Sequence, residues 1–504
     1  MQSLQGLAVL ILGLGVSGLS MARWCQRAGA RVTVADTRAQ PPQLPRLRQE
    51  LPQATFVHAP MDGALLEGSD VRAVFKSPGL SPQDVQGVVA AAQARGLWVA
   101  GELDLFAQAL AELRQAQQYQ PKVLAITGTN GKTTVTALTR HLLDWAGKPV
   151  VMAGNIGPAL LDTLSQAMDT QALPEVWVLE LSSFQLDGVA QFEPTAATVL
   201  NVTQDHLDWH GSMSAYAKAK ARIFGQHGQL VLNRDDPLVM SMMSMLPAPV
   251  KGTPARTWVT FGSGMPQRPG DFGMEEVNGM VWLVRALEAD ETRRKKKDAL
   301  PELHFQRLMP ADALRIRGRH NAGNALAALA LCATAGCTLA PLLFGLREYR
   351  GEPHRVQSIA SVNGVEFFDD SKGTNVGATV AALQGLGAER KVVVILGGEG
   401  KGQDFSPLAP AVARHARAVV LIGRDTPLIR QAIATTGVPL VDAGSMQEAV
   451  AQARGNAQAG DAVLLSPACA SFDMFDNYEH RARVFCAAVQ EWARACGVEL
   501  EVGA

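Results

Sequence analysis

Val123-Leu124-Ala125-Ile126-Thr127-Gly128-Thr129-Asn130-Gly131-Lys132-Thr133-Thr134 decides the fold. A short apolar run, Val123 to Ile126, enters a glycine loop. The loop enters a stretch with Val135, Leu138, Leu142 and Leu143 on one helical face, which stops at Gly147. Buried strand, loop and helix in that order open an α/β domain. Backbone N–H groups and the helix dipole can cradle phosphates there. Lys132 can reach the β and γ oxygens of a nucleotide, and a threonine hydroxyl can hold Mg²⁺. Ile126 stands where the general phosphate loop has its first glycine, so the match to that broad pattern is partial.

Two further α/β blocks flank this one. Upstream, Leu7 to Leu12 reads as a strand, followed by a glycine loop, a helical stretch from Leu19 to Ala28 and a second strand from Arg31 to Ala35. A βα-like unit covers Val71 to Ala94, and Gln-rich Glu112 to Pro121 reads as a linker. Within the central block, further strands are expected at Val176 to Leu181 and Ala197 to Val202. Lys251 to Leu308 looks less regular, and its basic run Arg293 to Lys297 reads as a solvated loop. Downstream, strands are expected at Val365 to Phe368, Val392 to Leu396, Val419 to Ile422 and Val463 to Leu465. The expected divisions are 1–110, 111–350 and 351–504.

Composition narrows the class. A chain of 504 residues exceeds one compact core. Its formal net charge of −1 gives no broad basic surface for nucleic acid. The six cysteines form no CxxC pair and suit reduced thiols in a cytoplasmic protein. The apolar N-terminus lacks a basic n-region, and no apolar run is long enough to insert in a membrane.

Gly13-Leu14-Gly15-Val16-Ser17-Gly18 matches GxGxxG after a strand, with Asp36 where a ribose-binding acid belongs. This pattern alone admits a nicotinamide dinucleotide, another diphosphate nucleotide, or a packing turn. Glu180 interrupts an apolar strand in VWVLELSSFQL, where a carboxylate can bind Mg²⁺ or hydrogen-bond at the core edge. His206 and His210 are four residues apart, but no HExxH motif or cysteine accompanies them, so residue types alone favour structural roles. Asp370 to Asn375, Gly397 to Lys401 and Ser466 to Phe472 place hydroxyls, lysines and glycines after strands. Such segments suit an anionic substrate, or ordinary turns and caps.

In this order, GTNGKTT, ELSSFQL, NVTQDHLDWH with Lys220, DDSKGTN, LGGEGK and SPACASFDMFDNYE resemble the Mur ligases over almost the whole chain. The resemblance implies three α/β domains: an N-terminal Rossmann-like domain, a central P-loop ATPase-type domain and a C-terminal Rossmann-like domain. It is closest to the branch that adds D-glutamate to UDP-N-acetylmuramoyl-L-alanine with ATP, and implies a monomer. It assigns Val16, Ser17, Asp36, Thr37, Arg38, Gly79 and Asn155 to the UDP substrate, so the first glycine loop would hold UDP and not NAD. It assigns Gly128, Thr129, Asn130, Gly131, Lys132, Thr133, Thr134, Asn324, Arg355 and Asp370 to ATP. Lys372, Thr374, Lys401, Ser471 and the backbone near Tyr478 would surround D-glutamate.

Two Mg²⁺ ions are implied, with Thr133, Glu180, His206 and a CO₂-derived carbamate on Lys220 as their protein partners. Lys132, Glu180, His206 and Lys220 would carry the catalytic roles. This reverses the structural reading of His206 and leaves His210 structural. Lys218 is nearby, but the KARIF context selects Lys220. Two departures from the family stand out: Lys251 to Leu308 is longer than usual, and Ala482 replaces a frequent glycine.

Three rivals fit less of the chain. An NAD-dependent oxidoreductase leaves the phosphate loop without a role. Folylpolyglutamate synthetase, a related ligase, lacks the N-terminal UDP-type domain. A non-catalytic nucleotide-binding regulator needs no Glu180, His206 and Lys220 group.

Overall fold

A computed structural model describes residues 2–246, 256–289, 302–388 and 390–498. The basic run Arg293 to Lys297 lies outside the described residues. The N-terminal sheet is parallel, with strands in the spatial order Thr55–His58, Arg31–Asp36, Ala8–Leu12, Ala73–Lys76 and Trp98–Ala100. The helix after the first strand spans Val16–Arg27, so it begins inside the glycine motif. Gly13 is left-handed, with φ +83°. A methyl group on Gly18 would lie 2.0 Å from the Gly13 carbonyl oxygen. That glycine is therefore demanded by helix–strand packing, whichever ligand the loop takes.

The central sheet is parallel, in the order Trp258–Phe261, Gln229–Asn233, Ala196–Val199, Lys122–Thr127, Val176–Glu180 and Val150–Gly154. Its phosphate-loop helix spans Lys132–Trp145 and buries Val135, Leu138, Leu142 and Leu143. Those side chains join Ala325, Leu326 and Leu329 of the helix Arg319–Thr334 in one core. The C-terminal sheet runs Gln357–Val362, Val365–Asp369, Ala462–Leu465, Val392–Leu396, Ala416–Leu421 and Leu440–Asp442; only the first strand is antiparallel. Helices cover both faces: Leu383, Leu408 and Ile429 pack on one, and Met446, Val450 and Phe485 on the other. Two-sided burial explains why Val392–Leu396 is apolar without alternation.

Two expectations fail here. The supposed linker is helical as far as Gln117, because Leu113 extends the buried face of Leu103, Phe106 and Ala109. The region expected to be less regular, Lys251 to Leu308, contributes most of an antiparallel sheet of Phe272–Val277, Met280–Glu288 and Leu303–Pro310. Asn278 and Gly279, with φ +50° and +77°, make its first turn. Asn-Gly between strands is a hairpin signal that the sequence already contained.

Candidate active site

Backbone and side chain together hold the phosphate loop open. Asn201 accepts from the Asn130 N–H at 2.8 Å and donates to the Asn130 carbonyl at 3.1 Å. The Thr129 hydroxyl accepts from the Thr203 N–H at 3.0 Å and lies 3.2 Å from the Tyr216 hydroxyl. Gly128 and Gly131 are left-handed, and a methyl on Gly131 would press on Asn324 Oδ1 at 2.9 Å. Lys132 folds back, donating to the carbonyls of Gly128 and Thr129, each at 2.9 Å. Thr133 and Thr134 are buried beneath the loop. Arg355 reaches across from the C-terminal sheet and donates to Thr133 Oγ1 at 2.7 Å.

Glu180 lies at the end of a neighbouring strand. Its Oε1 accepts from Asn155 Nδ2 at 2.9 Å, while Oε2 is buried with no hydrogen-bond partner. A buried carboxylate oxygen in that condition is suited to a cation. Among the described residues, no three His, Cys, Asp or Glu side chains form a metal cage.

Lys220 is 1% exposed, whereas Lys218 is exposed. The Lys220 amine donates to the Gly128 carbonyl at 2.9 Å and lies 4.5 Å from the centre of the Tyr216 ring. Burial, reinforced by nearby Lys132, holds its pKa well below the usual lysine value. His206 is left-handed at φ +54°, with Nε2 3.5 Å from Asp205. Burial lowers its pKa as well. His210 instead pairs with Ser183 Oγ at 2.9 Å and is pushed down to about 4 by burial.

The C-terminal sheet brings Lys372, Thr374 and Lys401 toward this centre. Lys372 lies 5.4 Å from the centre of the Tyr478 ring, and its pKa is lowered by burial and Arg355. Asp370 accepts from Ser466 at 2.7 Å; burial raises its pKa to about 7. Ser471 is buried. A cavity of about 140 Å³ is lined by Asp205, His206, Thr374 and Lys401. A larger cavity of about 440 Å³ lies between Val89 and Phe184, away from the phosphate loop.

Asn201, which opens the NVTQDHLDWH motif, Tyr216 and Arg481 have structural roles that the motifs do not assign. Arg481 is buried, and donates to the carbonyls of Ser371 at 2.8 Å and Cys469 at 3.1 Å. Its position after the recognised SPACASFDMFDNYE segment was the available clue.

At the N-terminal sheet, Asp36 accepts from Leu14 N at 2.7 Å and from Arg38 through both Nε and Nη2, each at 2.8 Å. Both of its oxygens are therefore used by the protein, and Asp36 shapes the glycine loop and aims Arg38. Ser77 ties the SPGL segment, with exposed Gly79, to the Gly13 carbonyl at 2.8 Å. Val16, Thr37 and Arg38 are exposed around this end of the sheet, and Ser17 is half-buried.

Burial would raise the Asp36 pKa, but the Arg38 and Leu14 hydrogen bonds bring it from 3.8 to about 2. The unfolded chain binds this proton first on acidification. The stability from Asp36 is therefore complete above its unfolded pKa and lost as pH falls toward 2. The gap between wild type and Asp36→Asn is expected to be about 2 kcal/mol at neutral pH. Urea unfolding should show it closing between about pH 4 and pH 2. A gap independent of pH would count against the ionised clasp.

Three family models match successive parts of the chain: the Mur ligase MurD-like N-terminal domain over 7–101, the Mur ligase middle domain over 126–332 and the Mur ligase glutamate ligase domain over 354–469. The chain is 67% identical to the UDP-N-acetylmuramoylalanine–D-glutamate ligase of Albidiferax ferrireducens, covering 99% of both chains. The chain belongs to the Mur ligase family. The Polaromonas sp. protein bearing the same description is 58% identical, over 99% of this chain and 100% of its own. Among solved structures, MurF ligase from Thermotoga maritima superposes with a TM-score of 0.57 at 16% identity, over 97% of this Mur ligase and 96% of that chain. UDP-N-acetylmuramate-alanine ligase MurC from the same organism gives 0.53 at 19%, over 96% and 99%. At such identities these two structures establish the shared fold.

Proposed function

We propose that this Mur ligase joins D-glutamate to UDP-N-acetylmuramoyl-L-alanine in the cytoplasm, with ATP cleaved to ADP and phosphate. The full-length similarity to ligases described by that reaction carries the reading. The phosphate loop, Glu180 and Lys220 supply the chemistry. The L-alanine carboxylate attacks the γ-phosphorus and ADP leaves, giving an acyl phosphate. The amine of D-glutamate attacks the acyl carbon, a tetrahedral intermediate forms, the amine loses a proton and phosphate is expelled.

Lys132 turns from the loop carbonyls to the β and γ oxygens, offsetting the repulsion between two anionic substrates. Arg355 and Asn324 hold the nucleotide, with Asp370 near its ribose. Val16, Ser17, Thr37, Arg38, Gly79 and Asn155 hold the UDP substrate, with Asp36 aiming Arg38. Lys372, Thr374, Lys401, Ser471 and the backbone at Tyr478 receive D-glutamate. Thr133, Glu180, His206 and carbamylated Lys220 would hold two Mg²⁺ ions, which neutralise phosphate charge when bound. The buried, neutral Lys220 amine adds to CO₂, forming the N–C bond and releasing a proton. Closure of the C-terminal sheet over the loop excludes water from the acyl phosphate.

Phosphate release from ATP should require both UDP-N-acetylmuramoyl-L-alanine and D-glutamate, and L-glutamate should not substitute. Calorimetry should show binding of the UDP compound and none of NAD. Tight NAD binding without binding of the UDP compound would overturn the assignment.

A further inference from the structure

Asn130, at the tip of the phosphate loop, and Asn375, which precedes the helix Val376–Leu386, meet across 245 residues of chain. Their side-chain amides pair in both directions. Asn375 Nδ2 donates to Asn130 Oδ1 at 3.0 Å, and Asn130 Nδ2 donates to Asn375 Oδ1 at 3.3 Å. Each partner is anchored separately. Asn201 grips the Asn130 backbone through two hydrogen bonds. Asn375 caps its own helix, accepting from Ala378 N at 2.9 Å.

The neighbouring glycine has a matching role. A methyl on Gly377 would meet Thr203 Oγ1 at 3.0 Å and Asn130 Nδ2 at 3.1 Å. The first turn of this helix approaches the phosphate loop so closely because residue 377 has no side chain. The contact is thus built from both sides, and it lies one residue beyond Thr374.

We propose that Asn375 is a positioning residue whose clasp on Asn130 sets the placement of Lys372 and Thr374 against the phosphate loop. It thereby fixes where the incoming amine meets the acyl phosphate; this rests on the D-glutamate ligase reading. Nucleotide binding depends on it little, because Asn201 holds Asn130 regardless. The clasp matters at the second chemical step, when two segments from different sheets must be in register.

Asn375→Ser separates clasp from cap. Serine can still cap Ala378 N but is too short to pair with Asn130. The KM for D-glutamate should rise roughly tenfold, the size expected from losing a paired amide contact. The nucleotide dissociation constant should stay within about twofold and the melting temperature within about 2 °C. Gly377→Val should raise the same KM by wedging the contact apart with both asparagines intact. Asn130→Ala combined with Asn375→Ser should give no larger a KM for D-glutamate than the worse single variant, as for partners in one contact.

An unchanged KM for D-glutamate in a folded Asn375→Ser, or independent multiplication of the two asparagine effects, overturns the proposal. If Asn375→Ser does not fold, Gly377→Val decides in its place by the same KM. Absence of D-glutamate-dependent phosphate release in the wild type would sink the functional reading instead. Small-angle scattering with a non-hydrolysable ATP analogue then still tests the clasp. Wild type must be more compact than Asn375→Ser, and equal radii of gyration overturn the proposal.

Discussion

Lys132→Ala is expected to fold normally and to lose turnover by about 100- to 1,000-fold, the scale seen when one preorganised charge-stabilising donor is removed. The lysine sits at the first position of the helix Lys132–Trp145, and its amine bonds to two loop carbonyls. The Gly128 carbonyl keeps its bond from Lys220, and Lys132 is itself half-buried, so truncation leaves no large hole in the core. What disappears is the positive charge that, in the proposed reaction, meets the β and γ oxygens as the carboxylate attacks. Lys132→Arg should recover little, because a planar fork does not reproduce a compact ammonium inside a loop. The check is steady-state phosphate release beside a thermal melt. Near-normal turnover in a folded Lys132→Ala would remove the loop from the chemistry.

Lys220→Ala should lose activity by about 100-fold or more, on the scale of losing support to a catalytic metal. Lys218→Ala, at an exposed position, should change little. The reasoning is electrostatic. An ammonium at Lys220 would repel a cation, and its near-complete burial makes the charged form costly. The neutral amine can accept CO₂, which replaces an unwanted positive charge by a carboxylate-like anion. A short carboxylic acid such as acetate should partly restore the alanine variant by filling the vacated space. Intact-mass analysis is a second check, showing a CO₂ adduct on wild type that Lys220→Ala lacks. Loss of function in Lys218→Ala with retention in Lys220→Ala would mean that the other lysine carries the modification.

The sequence revealed strands best where burial is two-sided. Val392–Leu396, and Val176–Glu180 up to its terminal carboxylate, read as apolar runs because both faces of each strand are buried. The region after Lys251 was harder. Its hairpin strands have one wet face, so Met280–Glu288 mixes exposed and buried residues, and only the Asn-Gly turn declared it. Glu112 to Gln117 misled for a related reason: a helix with one buried leucine per turn looks like a polar linker.

Within the site, contiguous motifs were legible, but which of their neighbours or members brace them was not. Asn201 and Tyr216 act through contacts with residues 71 and 87 positions away, which no local pattern encodes. Asp36 was recognised as important, but the bidentate grip of Arg38 on it emerges only in three dimensions.

The buried guanidinium of Arg481 welds two loops. It bonds the carbonyl of Ser371, 110 residues upstream, and that of Cys469, 12 upstream, with its pKa lowered to about 10 by burial. Burying that charge is costly, and the two carbonyls offset the cost together with the nearby carboxylates of Asp473, Asp369 and Asp370. The loops that carry Lys372 and Ser471, proposed above to receive D-glutamate, are therefore tied to each other through one side chain. An inhibitor shaped to both loops together would lose less affinity to loop ordering than one that must bring two separate loops into place.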